Sequence, residues 1–208
     1  MILIGQYDSS FVRRVGIALA LYDIPFEHRP WSVFGDADKI AALNPLTRVP
    51  TLVLDDGDVL VDSYTMLDHL DSLVPAEQAM HPRSEPARRH SLKVTALASG
   101  LADKAVSLFY ERRLHDKASP AWEARCLRQM RGTLAALEAD RAARPGPYWL
   151  GDRIGHADIA VAASIRHMGD SHPELAGLED CPALAAHCAA MEALPVFQQI
   201  SQPFIPPT

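Results

Sequence analysis

Ile2-Leu3-Ile4-Gly5-Gln6, Asp8-Ser9-Ser10, Phe11-Val12-Arg13-Arg14-Val15 and, after Pro25, Phe26-Glu27-His28-Arg29 decide the fold. The first stretch reads as a short apolar strand. From Phe11 on, Val15, Ala18, Leu19 and Tyr22 recur at spacings of three and four, the apolar stripe of a helix. A Ser or Asp just before such a run can accept the unsatisfied N–H groups of the first turn. Pro25 ends the connection, and residues 26–29 read as a second strand. Strand, helix and strand within about 30 residues form one crossover unit, so the two strands are expected to be parallel.

Working outward, residues 36–43 suit a short helix that Asn44-Pro45 breaks. Thr51-Leu52-Val53-Leu54 is a run of strand formers. Asp55-Asp56-Gly57-Asp58 is a turn signal, and Val59-Leu60-Val61 is the partner strand of a hairpin. Ser63 is placed to cap a helix whose apolar face is Met66, Leu67, Leu70 and Leu73. Beyond residue 75 the pattern changes. Pro75, Pro82 and Pro86 mark a linker, and helical patterns then cover residues 87–115, 120–143, 156–168 and 183–193. Ser119-Pro120 opens the second of these with a cap and a proline in the first turn. Arg144-Pro145-Gly146-Pro147 stops it. The tail beyond residue 193, ending Pro203 to Pro207, is expected to lie extended over the surface. The reading is an α+β chain: a sheet-bearing domain over residues 1–75, a linker over 76–86 and an all-α helical domain over 87–208.

The composition bounds the function. Of 208 residues, 48% are apolar and 22% charged, as in an ordinary globular protein. Twenty basic residues against 26 acidic ones leave a net charge of −6, which argues against a nucleic-acid binder held by phosphate contacts. The acid is concentrated in residues 1–80. Cys126, Cys181 and Cys188 are an odd set without a CxxC, so neither a disulfide framework nor a zinc knuckle is expected. They read as reduced thiols of a cytoplasmic protein. The N-terminus lacks the basic region of a signal peptide. No run approaches the roughly 18 apolar residues of a membrane span. The nine histidines show no paired ligand spacing, and no metal is expected.

Three features of the first domain carry candidate chemistry. Ser9 stands at the turn from strand to helix, where N–H dipoles favour negative charge. Its hydroxyl can donate to an anion such as a thiolate, or serve simply as a cap. Pro50 opens a strand without a ladder donor. If Val49-Pro50 is cis, the Val49 backbone groups turn outward toward an extended peptide; a trans proline is an ordinary strand start. Asp62-Ser63, an acid and a hydroxyl at a helix start, suit an α-amino acid group and equally suit a cap.

Taken in order, Ser9-Ser10-Phe11-Val12-Arg13-Arg14-Val15, Asn44-Pro45-Leu46-Thr47-Arg48-Val49-Pro50-Thr51-Leu52, Asp62-Ser63 and Gly151-Asp152-Arg153-Ile154-Gly155-His156-Ala157-Asp158-Ile159 resemble the glutathione transferase family. The resemblance spans nearly the whole chain. It implies a thioredoxin-like N-terminal domain, an all-helical C-terminal domain, a homodimer, and glutathione as cosubstrate for a small, largely apolar electrophile. It assigns Ser9 to the glutathione sulfur, with Ser10 as runner-up and Tyr7 as a weaker rival. It assigns the Val49 backbone to the cysteinyl unit, Pro50 to the family's cis-proline, and Asp62 and Ser63 to the γ-glutamyl end. The family more often carries glutamate where this chain has Asp62.

Arg48, beside the bend, is the leading partner for a glutathione carboxylate; Arg13, Arg14 and Lys39 are others. Trp31 and Phe34 lie in the loop after the second strand, which the family often closes over glutathione. Phe11, Phe34, Phe109, Tyr110 and Arg113 are candidates for the second-substrate site, with Leu108 and Arg112 on the same helix. Asp158 is expected to reach back to the Gly155 N–H as a structural cap. A conjugating transferase of the detoxification kind is the first reading. A glutathione-dependent isomerase or dehalogenase is the second; Ser9-Ser10 resembles the isomerases, but their following cysteine is Phe11 here. A non-catalytic scaffold on the same fold is the third.

Overall fold

Four strands, β1 (Ile2–Ile4), β2 (Glu27–Arg29), β3 (Thr51–Val53) and β4 (Val59–Val61), make one sheet in the order β2-β1-β3-β4. They are taken from a computed structural model that describes residues 1–175 and 178–206. β2 lies parallel to β1, with Leu3 opposite His28. That is the direction the crossover through α1 (Ser10–Leu21) demands. β3 runs antiparallel to β1 with Leu52 opposite Leu3, and β4 closes the hairpin with Leu60 opposite Leu52. Leu3, Ile4 and Leu52 are fully buried. The short helix α2 (Ala37–Ala41) precedes the Asn44-Pro45 break, and α3 (Ser63–Ser72) packs against α1.

Two local expectations are corrected here. The residue that caps α3 is Asp62, not Ser63: its carboxylate accepts the Tyr64 N–H at 2.8 Å, and Ser63 is the first helical residue. Leu73 does not join the apolar face. It follows the last helical residue, where the chain leaves the stripe, and it is 51% exposed.

The helical unit runs from His81 to Ala193. It contains α4 (Ala87–Leu114), α5 (Pro120–Ala142), α6 (His156–Ser171), a 3-10 turn (Pro173–Leu175) and α7 (Pro182–Glu192). α4 and α6 pack along one another, and Leu101, Leu108, Leu137, Trp149 and Val161 are buried in the core. Ser119 caps α5 by accepting the Trp122 N–H at 3.3 Å, with Pro120 in the first turn. All three cysteines are free; Cys126 and Cys181 are buried, and burial pushes the Cys188 thiol up to about 12. Among the described residues, no helix is long and apolar enough to cross a membrane.

The tail departs from the sequence reading. Its first part is a helical turn, α8 (Pro195–Gln199), opened by a proline that needs no N–H partner there. Phe197 and Ile200 are buried. The segment from Leu194 on groups with Met1–Met80, not with the helical unit that precedes it in the chain. Residues 201–206 carry no regular structure, and Pro207 lies outside the described residues.

Asp158 reaches back to the Gly155 N–H at 2.8 Å, as expected, and its other oxygen accepts the Trp149 N–H at 2.7 Å. His187 lies 3.6 Å from the same carboxylate, edge-on to the Trp149 ring. Burial governs both groups. It raises the Asp158 carboxyl to about 6 and, helped by the Arg141 charge, lowers the His187 imidazole to about 4. The two are therefore not an ion pair at neutral pH, despite their closeness. Their linkages to stability oppose each other. The native state holds an extra proton on Asp158 between about pH 4 and 6, so that group's contribution falls as pH rises. The unfolded state holds the extra proton on His187 between about pH 4 and 6.5, so that contribution grows as pH rises. His187→Leu removes the second effect. Relative to wild type, the variant's unfolding free energy is expected to fall with rising pH across this window, by at most about 1.4 kcal/mol per pH unit. Urea titrations in a pH series measure it, and parallel curves for the two proteins refute it.

Candidate active site

The site is assembled around Gly5. This residue follows β1 with φ at +129°, in the region that disfavours a side chain. A Cβ there would lie 2.5 Å from Val12 Cγ2 and 2.8 Å from Val49 Cβ. The first turn of α1 and the loop before β3 thus meet over a bare backbone. Ser9 opens that turn. It caps α1 with its oxygen 3.5 Å from the Val12 N–H, and its residue is half-buried. Because the oxygen accepts in this contact, the hydroxyl proton remains to be donated. Ser10 is the first helical residue, 3% exposed, and its oxygen has no hydrogen-bond partner among the described residues.

Asn44 builds the loop on the other side. It is buried, and its amide donates to the Arg48 carbonyl and to Thr51 Oγ1, both at 3.0 Å. Its oxygen accepts the Leu46 N–H at 3.0 Å. Thr47 takes φ +50° between them, and Val49-Pro50 is cis, as is Glu85-Pro86, which the sequence reading did not single out. Pro50 is buried, while the Val49 N–H and carbonyl make no hydrogen bond among the described residues. The Arg48 side chain is exposed with no ion-pair partner among them.

Arg14 joins α1 to the start of α3. Its guanidinium donates to Ser63 Oγ, and its central carbon sits 4.5 Å from the Tyr64 ring centroid and 5.6 Å from that of Phe11. Arg14 is 2% exposed and Ser63 3%, whereas Asp62 is exposed. Accepting from Arg14 leaves the Ser63 proton to donate, which suits a carboxylate acceptor beside the α3 N-terminus.

The other candidates lie in varied surroundings. Arg13 is buried and bonded to tail carbonyls, so neither it nor Arg14 is a surface cation. Lys39 pairs with Asp36 at 2.6 Å and lies over the Trp31 ring. Tyr7 is stacked on His28 with centroids 3.8 Å apart, and burial pushes its phenol up to about 12. Phe34 is 45% exposed. In the helical unit, Phe109 and Tyr110 are half-buried on α4 and Arg113 is exposed. Leu108 belongs to the core, and Arg112 is paired with Glu123 and Glu174, so both leave the wall set. No group of three or more His, Cys, Asp or Glu able to hold a metal is found among the described residues. The sequence reading gave Asn44 a place as a breaker and at the head of a family motif, but no role in shaping the loop. An Asn that can fold its side chain onto backbone two residues on, ahead of Pro45, was the available signal.

The profile of the glutathione S-transferase N-terminal domain matches residues 3–78, and that of the C-terminal domain matches residues 120–190. A glutathione S-transferase from Methylobacterium radiotolerans, solved in complex with glutathione sulfonate, superposes with a TM-score of 0.92 at 28% identity, covering 100% of this chain and 97% of that one. Glutathione S-transferase Z1 of Arabidopsis thaliana is 29% identical over 94% of this chain and 89% of its own length. Maleylacetoacetate isomerase of Pseudomonas aeruginosa is 27% identical over 95% and 97%.

Gly5→Ala tests the close approach. The added methyl must displace Val12 or Val49 and occupies a strained φ, so a loss of roughly 2–4 kcal/mol is expected in urea unfolding. A change below about 0.5 kcal/mol, the usual effect of a neutral substitution, refutes the constraint.

Proposed function

The chain belongs to the glutathione transferase family, and on that footing we propose that it binds glutathione and conjugates the glutathione sulfur to a small electrophile, with Ser9 stabilising the thiolate. The observation that carries this reading is the Ser9 cap: a half-buried hydroxyl at the N-terminus of a 12-residue helix, with its proton unused in the cap contact. The neighbour solved with glutathione sulfonate supports the choice of ligand. Ser9 is preferred to Ser10, because the Ser10 hydroxyl is buried and reaches a sulfur only if the helix start moves.

The division of labour follows from chemistry. The Val49 N–H and carbonyl pair with the cysteinyl backbone. Ser63, backed by Arg14 and the α3 N-terminus, donates to the γ-glutamyl carboxylate, while Asp62 holds the ammonium. Asp62 already accepts the Tyr64 N–H through one oxygen, which leaves the other for the ammonium. Arg48 takes the remaining carboxylate.

A free thiol has a pKa of about 8.5, so only a small fraction is ionised at neutral pH. Donation from Ser9 and the helix N-terminus favours the thiolate, and the thiol proton goes to solvent. The sulfur lone pair then attacks the electrophilic carbon. A C–S bond forms, and the leaving group departs with its bonding electrons. No covalent intermediate with the protein is needed. Phe11, Phe34, Phe109, Tyr110 and Arg113 remain the candidates for contact with the electrophile.

Similarity to the plant Z1 transferase and to the bacterial isomerase favours one alternative, in which the same thiolate adds to a conjugated cis double bond and leaves after rotation. Assays with chlorodinitrobenzene and with maleylacetoacetate separate the two. Conjugation of the first supports transfer; isomerisation of the second alone supports the alternative. In the favoured assay, Ser9→Ala removes one charge-assisted hydrogen bond, about 1.5–3 kcal/mol, so kcat is expected to fall roughly 10- to 150-fold with little change in the KM for glutathione. Ser9→Ala with unchanged kcat refutes the Ser9 assignment. Failure of the wild-type protein to bind glutathione in calorimetry refutes both enzymatic readings and leaves a scaffold.

A further inference from the structure

The segment that returns from the helical unit does more than cover apolar surface. Arg13, one turn after Ser9, donates from Nε to the Ile200 carbonyl at 2.9 Å and from Nη2 to the Phe197 carbonyl at 2.8 Å, with its guanidinium 5.4 Å from the Phe197 ring centroid. Ile200 then packs on bare helix backbone: a Cβ on Gly16 would lie 2.9 Å from Ile200 Cγ2 and 3.0 Å from Tyr7 Cε1. Anchored there, the chain continues to the turn that carries Ser9. The Gln202 side-chain carbonyl accepts the Tyr7 N–H at 2.9 Å, and the Ile205 N–H donates to Asp8 Oδ2 at 3.0 Å. Within the turn, the Ser9 N–H donates to the Gln6 carbonyl at 3.2 Å. On the inner side, Tyr7 is stacked on His28, whose Nε2 lies 2.8 Å from the Gly5 carbonyl.

Tyr7 and Asp8, the two residues just before Ser9, are thus each tied to residues almost 200 positions away in the chain. Ser9 needs such a constraint. A donor that stabilises an anion works only when its direction is fixed in advance, and a displacement of about 1 Å is costly. A helix cap alone does not supply it, because the cap contact is long at 3.5 Å. Asp8 adds an electrostatic reason. A carboxylate one residue from the thiolate site disfavours the anion, and a hydrogen bond from the Ile205 N–H restrains that side chain.

We propose that residues 195–205 form a C-terminal strap that holds the Ser9 turn in register, with Gln202 as a positioning residue acting through the Tyr7 amide. The inference rests on the reading of Ser9 as the thiolate donor.

The test uses the full chain and Gln202→Met, which keeps the length of the side chain but removes the acceptor. Val161→Ala, in the core of the helical unit, serves as a control that lowers the melting temperature without touching the strap. The readout is the ionisation of bound glutathione, followed by ultraviolet thiolate absorbance against pH, with kcat and KM for glutathione measured using chlorodinitrobenzene. The expected result is a wild-type thiol pKa well below the free value and a rise of roughly half a pH unit in Gln202→Met. That rise corresponds to about threefold less thiolate below the pKa. The kcat should fall by a similar factor with KM unchanged, and Val161→Ala should leave the thiol pKa where it is. A wild-type thiol pKa equal to that of free glutathione overturns the Ser9 reading and the inference with it. A lowered wild-type pKa that Gln202→Met preserves overturns the inference alone. So does a shift of equal size in Val161→Ala, since loss of stability would then account for it.

Discussion

Three pieces of the N-terminal unit meet where Gly5 has no side chain. The end of β1, the first turn of α1 through Val12, and the loop before β3 through Val49 approach closer there than any Cβ allows. Everything proposed for catalysis hangs on that contact. It sets the distance between the Ser9 cap and the Val49 backbone groups, which the proposed function assigns to one ligand. Asn44 then supports the loop from within by satisfying Arg48, Leu46 and Thr51, so the loop keeps its shape without a strand partner.

Arg14 is the second organising element, and it illustrates how a buried cation is tolerated. It is enclosed by the faces of Phe11 and Tyr64, which offer negative π density, and by the Ser63 hydroxyl. By donating to Ser63 it leaves the proton of that hydroxyl unused. A group that reads in sequence as a surface charge is therefore part of the buried architecture that joins α1 to the start of α3. Arg13, its neighbour, points its hydrogen bonds at tail carbonyls instead. Two adjacent arginines on one helix thus serve two different attachments, because side chains one residue apart on a helix leave it about 100° apart.

The helical unit follows a separate logic. Its buried polar groups include the Asp158–His187–Trp149 cluster, where one carboxylate answers the buried Trp149 N–H and the part-buried Gly155 N–H. Gly155 supplies no hydroxyl at the cap, so the reciprocal half of a capping box is missing, and Asp158 carries the connection to Trp149 as well as to Gly155. Burial shifts the carboxyl and the imidazole in opposite directions, and the pH dependences of their contributions to stability oppose each other across mildly acidic pH.

The order of elements, the parallel pairing of β1 and β2, the hairpin, the Ser9 and Ser119 caps and the long helices were all legible in the sequence, because each depends on local periodicity, turn chemistry or the handedness of a crossover. The motifs around Ser9, Pro50 and Asp62-Ser63 were legible too, as a pattern matched to a family. Other features were decided only by tertiary structure. Asp62 rather than Ser63 caps α3, since the two neighbours are equivalent cap formers until the backbone chooses the helix start. Arg14 is buried and Arg48 is exposed, although charge alone makes them alike. Asn44 became an organiser because Arg48 and Thr51 fold back within its reach. The tail's return to α1 has no local signal at all. It arises from contacts between residues nearly the whole chain apart, and a periodicity confined to a dozen residues carries no information about which distant surface will satisfy them.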